Sequence, residues 1–172
     1  MGKLARLAVL MSIPLLLDGC GFHLRGPAHL PAAMQRTYIA DAGGDTELVR
    51  ELRRNLITPT TNVTGDATTA TAVLNILKSR RFQRVLSVSN TGQPLEYQVA
   101  YEVQFSLTAA GGKTLIAAQT LTLTRDYAYD VANVIGDTEQ ANVLYNALES
   151  DMAQLILFRL EAAGRRTPAR GH

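Results

Sequence analysis

The sequence predicts an α+β fold, a two-layer sandwich in which two helices cover one face of a four-stranded, mostly antiparallel sheet. Two segments with apolar residues at helical spacing predict the helices, and long stretches of alternating apolar and polar residues predict strands. The order is β-α-β-β-β-α, and each element has one apolar face to bury. With 172 residues, 47% of them apolar, the chain is long enough for one domain with an ordinary core.

The first half of the domain is predicted to contain one strand and one helix. Gln35–Ala40 is a short β-prone run closed by a turn at residues 41–44. Asp45 is the expected cap of a helix over Thr46–Ile57. The apolar stripe of this helix consists of Leu48, Val49, Leu52 and Leu56. Residues 58–69 are rich in Thr, Asn, Gly and Asp, so we expect a loop there.

Three long strands follow and are predicted to form an antiparallel meander. Ala72–Val88 is mostly β-branched or apolar, with basic residues in its middle, and a turn at residues 89–92 ends it. The next strand has the clearest alternation in the chain, with Tyr97, Val99, Tyr101, Val103, Phe105 and Leu107 on one face. The Gly111–Gly112 pair then closes a hairpin into a strand over Thr114–Tyr129.

The domain is predicted to end in a second helix. Asp137 followed by Gln140 resembles a capping box, and Gly164 stands where a helix end favours glycine. The apolar stripe between them consists of Ala141, Leu144, Leu148, Met152, Leu155, Ile156 and Leu160. A single α+β domain over residues 35–164 and a flexible basic tail over residues 165–172 follow from this pattern.

The composition argues against an enzyme and against a bound cofactor or metal. The single cysteine excludes an internal disulfide, and the three histidines lie near the ends of the chain. A net charge of only +2 does not favour nucleic-acid binding. Asp126 and Asp130 are the best carboxylate pair for a hydrolase, but loop acids or a helix-capping contact explain them more simply.

The amino end is predicted to be a lipoprotein signal peptide over residues 1–19. Lys3 and Arg6 precede an apolar stretch, residues 7–17, that is too short to span a membrane. Leu17-Asp18-Gly19-Cys20 then resembles a bacterial lipobox, in which the chain is cut before a cysteine that carries acyl chains. Asp18 departs from that pattern, which has a small or uncharged residue there. Cys20 is therefore the predicted lipidation site and membrane anchor.

The residues after the anchor indicate location. By analogy with known sorting rules, Gly21 in place of an aspartate directs the lipoprotein to the outer membrane. Residues 20–34 contain Gly and Pro without a clear period and are expected to form the lipidated tether.

Four basic residues lie within seven positions of the predicted strand Ala72–Val88: Lys78, Arg80, Arg81 and Arg84. Strand alternation places three of them on one face and Arg81 on the other unless a bulge intervenes. Guanidinium groups pair bidentately with phosphates, so the cluster is a candidate anion site. The alternative is that the charges protect an exposed sheet edge from unwanted pairing.

Three segments carry a resemblance to a known family, the LptE (RlpB) family of lipopolysaccharide-assembly lipoproteins. Residues 20–26, with the sequence Cys-Gly-Phe-His-Leu-Arg-Gly, look like the mature start of these proteins. Residues 92–99 and 137–140 agree in order and separation. The family fold is a four-stranded sheet with two helices, which coincides with the predicted architecture.

The resemblance implies a non-enzymatic function. Family members sit as a plug in the lumen of the outer-membrane barrel LptD, assist its assembly and the transport of lipopolysaccharide to the outer leaflet, and can bind lipopolysaccharide. Such a protein would be anchored on the periplasmic side with its body inside the barrel. The alternative is another outer-membrane lipoprotein module, such as an activator of a periplasmic cell-wall enzyme.

One departure from the family concerns ligand contact. Basic residues associated with lipopolysaccharide in the family fall just before Gly92 and just before Asp137, where this chain has Asn90 and Gly136. Either lipopolysaccharide contact is weaker in this chain, or basic residues elsewhere have taken it over, for which Lys78, Arg80, Arg81 and Arg84 are the candidates.

Overall fold

Five strands and two long helices form the folded part of the chain, for which a computed structural model describes residues 30–130 and 134–166. The strands are β1 (Arg36–Asp41), β2 (Asn62–Thr64), β3 (Ala72–Val88), β4 (Pro94–Ala109) and β5 (Thr114–Ala128). The helices are α1 (Thr46–Leu56) and α2 (Val134–Arg166), and short 3-10 helices occupy Ala32–Gln35 and Ala67–Thr69.

The sheet has the order β2-β1-β3-β4-β5. β1 runs parallel to both of its neighbours, whereas β3, β4 and β5 form an antiparallel meander. The α+β class is confirmed, but the predicted count of four strands is wrong, because β2 lies within the segment expected to be a loop. β2 has only three residues, which is too short for a recognisable alternation, and its place in the sheet depends on pairing with β1.

The core lies between the two helices and one face of the sheet. From β4 it takes Val99, Tyr101, Val103, Phe105 and Leu107, and from α1 it takes Leu48, Leu52 and Leu56. From α2 it takes Ala141, Leu148, Met152, Ala153, Ile156, Leu157 and Leu160. Each fully buried aliphatic side chain contributes about 1.5–3 kcal/mol relative to exposure. The periodic residues predicted to form each apolar face are therefore the residues that hold the layers together.

Helix α1 starts where the sequence predicts, because Asp45 caps it. The Asp45 Oδ1 atom accepts a hydrogen bond of 3.0 Å from the Leu48 amide, which satisfies a donor that the helix itself leaves unpaired. The preceding turn passes close to the sheet, and a Cβ on Gly43 would lie 2.9 Å from the Ser79 amide nitrogen. Only glycine fits this approach without a shift of the backbone.

Helix α2 begins earlier than expected, at Val134, so the predicted capping box at Asp137 is wrong. Asp137 lies inside the first turn, and its Oδ2 atom accepts a hydrogen bond of 3.1 Å from the Asp130 amide. The carboxylate thus fastens the connection from β5 and does not cap its own helix. At the other end the helix continues two residues beyond Gly164 and includes the first two residues of the predicted tail.

The folded domain also begins before the predicted boundary at Gln35. Met34, in the first 3-10 helix, is fully buried in the core. The end of the predicted tether therefore packs against the domain. Residues 20–29 of that tether, the predicted signal peptide and residues 167–172 of the tail lie outside the described residues.

Candidate functional site

A bulge in β3 decides which way the basic residues point. The pairing of β3 with β4 shifts between Ile76 and Lys78, which leaves Leu77 41% exposed. From Lys78 to Val85, where the register shifts again, the odd-numbered residues of β3 face the helices and the even-numbered ones face away. We call the sheet face without helices the open face. Lys78, Arg80 and Arg84 lie on the open face, and Arg81 lies on the helix-covered face.

Arg80 is held by its neighbour on β4. Its Nε and Nη2 atoms donate to the two carboxylate oxygens of Glu102 at 2.8 and 3.2 Å, and the guanidinium lies 4.7 Å from the centre of the Phe82 ring. Hydrogen bonding from Arg80 lowers the pKa of Glu102. Binding an anionic ligand through Arg80 would therefore require it to leave this bidentate pair.

Arg81 points into the layer between sheet and helices. It forms an ion pair with Glu149 of α2 and lies over the ring of Tyr145, 5.5 Å from its centre. The side chain of Glu149 is only 3% exposed, and its Oε2 atom has no hydrogen-bond partner among the residues that the structure describes. Burial raises the pKa of Glu149, against the opposing effect of the Arg81 charge. Arg81 thus joins the sheet to α2.

Lys78 and Arg84 are the members of the cluster that carry no ion pair or side-chain hydrogen bond to another described residue. Both are exposed on the open face. Arg84 lies opposite Gln98 in the β3–β4 register. The Gln98 amide nitrogen donates to Asp126 at 2.7 Å, but the buried Gln98 Oε1 atom has no partner within residues 30–130 and 134–166. Arg84, Gln98 and Asp126 therefore lie in one row across the three strands, with the Arg84 cation on β3.

The two predicted carboxylates do not form a catalytic pair. Asp126 lies on β5 and accepts the hydrogen bond from Gln98. Asp130 lies two residues beyond the end of β5, where its amide donates to Asp137. Within residues 30–130 and 134–166, no three His, Cys, Asp or Glu side chains come together as a metal site.

The two positions that depart from the family lie at one end of the sheet. Asn90 is exposed in the turn between β3 and β4, and Gly136 lies in the first turn of α2. The amide of Tyr129, just after β5, donates to the Leu95 carbonyl at 2.8 Å, which brings the start of β4 to this end. The cations Lys78 and Arg84 lie along β3, inward from this turn.

A half-buried polar cluster of Asp45, Ser79 and Tyr101 is not predicted by the sequence. The Asp45 Oδ2 atom accepts hydrogen bonds from Ser79 Oγ at 2.6 Å and from Tyr101 Oη at 2.5 Å. Burial on its own raises the pKa of Asp45, but these bonds and the Leu48 amide together hold it below the ordinary value. The same burial, with the hydrogen bond to Asp45, raises the pKa of Tyr101. Asp45 was predicted only as a helix cap, and it also ties α1 to β3 and β4.

These features define a class of protein: a small α+β sandwich whose open sheet face carries mainly polar and charged side chains. In the described part of the chain, no helix combines the length and the hydropathy needed to cross a membrane. The family model LptE, described as lipopolysaccharide-assembly, matches residues 32–160, and the chain belongs to this family. The expectation of a non-enzymatic assembly lipoprotein is confirmed.

Individual relatives agree with this assignment. The chain is 28% identical over 144 residues to the LPS-assembly lipoprotein LptE of Pectobacterium atrosepticum, covering 83% of this chain and 77% of the relative. It is also similar to the solution structure of lipoprotein B from Nitrosomonas europaea, with 28% identity, a TM-score of 0.69 and coverage of 88% of this chain and 99% of that one. The crystal structure of the rare lipoprotein B from Shewanella oneidensis shares the fold, with 20% identity, a TM-score of 0.66 and coverage of 76% and 97%.

Proposed function

We propose that the chain is anchored through acylated Cys20 on the periplasmic side of the outer membrane and occupies the lumen of the LptD barrel as a plug. There it assists assembly of the barrel and the passage of lipopolysaccharide into the outer leaflet. Family membership supports the role in lipopolysaccharide assembly, and the lipobox-like sequence before Cys20 supports the anchor. Cys20 itself lies outside the described residues.

The open face is the observation that carries the proposal. It extends over β3, β4 and β5, which have 17, 16 and 15 residues, so it is about 50 Å long. Beyond the basic residues, most of its exposed and half-buried side chains are polar, although Phe82 also lies on this face. The polar ones include Glu102, Gln104, Ser106, Thr120, Thr122 and Thr124. A wall of hydroxyl and amide groups suits the polar interior of an outer-membrane barrel.

Within this proposal, Lys78 and Arg84 are the leading candidates for lipopolysaccharide contact. Both are exposed and have no partner in the described residues, whereas Arg80 and Arg81 are engaged by Glu102 and Glu149. A phosphate on Arg84 would gain a charge-assisted hydrogen bond without breaking an existing ion pair.

Co-purification from native membranes tests the plug. Thr122→Arg with Thr124→Arg introduces two bulky cations on the open face, and we expect stoichiometric recovery of the LptD barrel to be lost. Asn142→Arg with Asn146→Arg makes the same change in charge on exposed positions of α2 and should leave recovery intact. Equal recovery with both variants, or recovery of a cell-wall enzyme in place of the barrel, would contradict the proposal. Mass spectrometry of the same material reports acylation at Cys20.

Ligand contact is tested separately with purified lipopolysaccharide. Lys78→Gln with Arg84→Gln should weaken binding and flatten its dependence on salt concentration, because two phosphate-pairing charges are lost. The matched control is Arg50→Gln with Arg54→Gln, which removes two exposed cations from α1. If the affinity for lipopolysaccharide is unchanged in the β3 variant, the basic residues serve to protect the sheet edge.

A further inference from the structure

A second surface lies at the opposite end of the sheet from the β3–β4 turn. Here the first residues of β5 and the last turns of α2 enclose a groove of about 360 Å³, within the range of about 300–1,000 Å³ typical of ligand sites. Its walls are formed by residues 115–119 of β5 and by Arg159, Ala162, Ala163 and Arg166 of α2. Nothing in the role of the open face uses this groove.

One wall of the groove is an unpaired strand edge. β5 is the last strand of the sheet and pairs with β4 alone within the described residues. Its outer edge therefore presents backbone N–H and C=O groups that have no partner strand. Ala117 and Ala118 are exposed on this wall. They lie at a bulge, because β5 has one residue more than β4 between Gln119, opposite Phe105, and Ile116, opposite Leu107.

The other wall carries two cations. Arg159 and Arg166 are seven residues apart, so they share one side of α2 about 10 Å apart along its axis. Neither makes an ion pair within the described residues, whereas Arg125 pairs with Asp151 at 2.6 Å further along the same two elements. None of the described residues that line the groove is acidic. The positive charges of Arg159 and Arg166 therefore favour an anionic partner in this groove.

We propose that this groove binds an extended segment of a partner protein that carries acidic side chains, which adds to β5 as a sixth strand. An added strand would satisfy the free backbone edge, and its acidic side chains would pair with Arg159 and Arg166. Side chains on one face of a strand repeat about every 7 Å, so two carboxylates two or four positions apart reach both guanidinium groups. A lipid would engage the cations but leave the backbone edge unpaired.

The test uses the purified full-length protein in detergent and a fluorescent decapeptide of alternating glutamate and valine. We expect the peptide to bind and to protect residues 114–119 from hydrogen exchange. Arg159→Gln with Arg166→Gln should weaken binding roughly tenfold, since two ion pairs are lost. Lys78→Gln with Arg84→Gln, the same loss of charge on the open face, should leave peptide binding unchanged, which separates this groove from the proposed lipopolysaccharide contact.

A chemically matched peptide tests strand addition in the unmodified protein. Methylation of alternate backbone nitrogens of the decapeptide keeps every side chain but blocks strand pairing, and we expect it to weaken binding at least as much as the arginine substitutions. Equal affinity for the methylated peptide would overturn the proposal. An absence of peptide binding would also overturn the proposal. This holds even if vesicles of equal phosphatidylglycerol and phosphatidylcholine bind through Arg159 and Arg166, because the partner would then be a lipid surface.

Discussion

Replacing Arg81 by Gln should lower the free energy of unfolding by about 2 kcal/mol at neutral pH. Removing one partner of a fully buried ion pair costs about 3–5 kcal/mol, and an exposed pair is worth under about 1 kcal/mol. Here the side chain of Glu149 is 3% exposed and that of Arg81 is 42% exposed, so the expected cost lies between the two limits. A loss of this size lowers Tm by roughly 5–10 °C for a domain of this length.

The pH dependence of this loss follows from the carboxylate. Burial raises the pKa of Glu149 above its value in the unfolded chain, so the charged form weakens stability as the pH rises through and above about 4.3. The Arg81 charge offsets the cost of burying the ionised Glu149 carboxylate, whereas a neutral glutamine at position 81 cannot. The difference between the variant and the unmodified protein should therefore be small near pH 4 and fully developed at pH 7.5.

Urea unfolding at both pH values measures the effect, with two further variants for comparison. Adding Glu149→Gln to Arg81→Gln removes the stranded charge and should restore at least half of the loss. Arg125→Gln breaks a pair whose partners are 49% and 50% exposed and should cost under about 1 kcal/mol. A cost for Arg81→Gln no larger than for Arg125→Gln, or equal at both pH values, would refute the reasoning.

Three other substitutions probe the packing of the domain. Asp45→Ala should cost about 2 kcal/mol in urea unfolding at pH 7, since it removes a helix cap and two part-buried hydrogen bonds. Because the folded pKa of Asp45 is lowered, this stabilisation should fade as the pH falls below about 4. Gly43→Ala should cost about 1–3 kcal/mol, because the added Cβ would contact the Ser79 backbone. The control Gly65→Ala has open space around it and should leave Tm nearly unchanged. Equal effects of the two substitutions on Tm would contradict the close approach of Gly43 to the sheet. Met34→Ala should cost about 2–5 kcal/mol in thermal unfolding, and a neutral result would place it outside the core.

The sequence predicts the elements whose burial is periodic. The alternation from Tyr97 to Leu107 identifies β4, and every residue of that alternating set from Val99 onward is buried. The apolar stripe of α2 is likewise buried or half-buried along its length. Such patterns are visible because each residue meets the same layer of neighbours at a fixed interval along the chain.

What the sequence does not predict depends on partners far away in the chain. The bulge at Leu77 is set by the register of β3 against β4, and no residue type marks it. The contact between Arg81 and Glu149 joins positions 68 residues apart. One signal was available: Glu149 follows Leu148 directly within the apolar stripe of the last helix, where a carboxylate must find a partner or be neutralised.

The parallel pairing of β1 with β3 has a consequence for the order of events during synthesis. Ribosomes make β1 first, yet its partner residues 72–76 emerge only after α1 and β2 have been made. The antiparallel strands β3 to β5 are joined by short turns, and hairpins of this kind form within microseconds once both strands have been made. Ile39, buried in the finished core, therefore stays exposed until residues 72–76 are available to pair with β1, and exposed apolar strands of this kind favour aggregation.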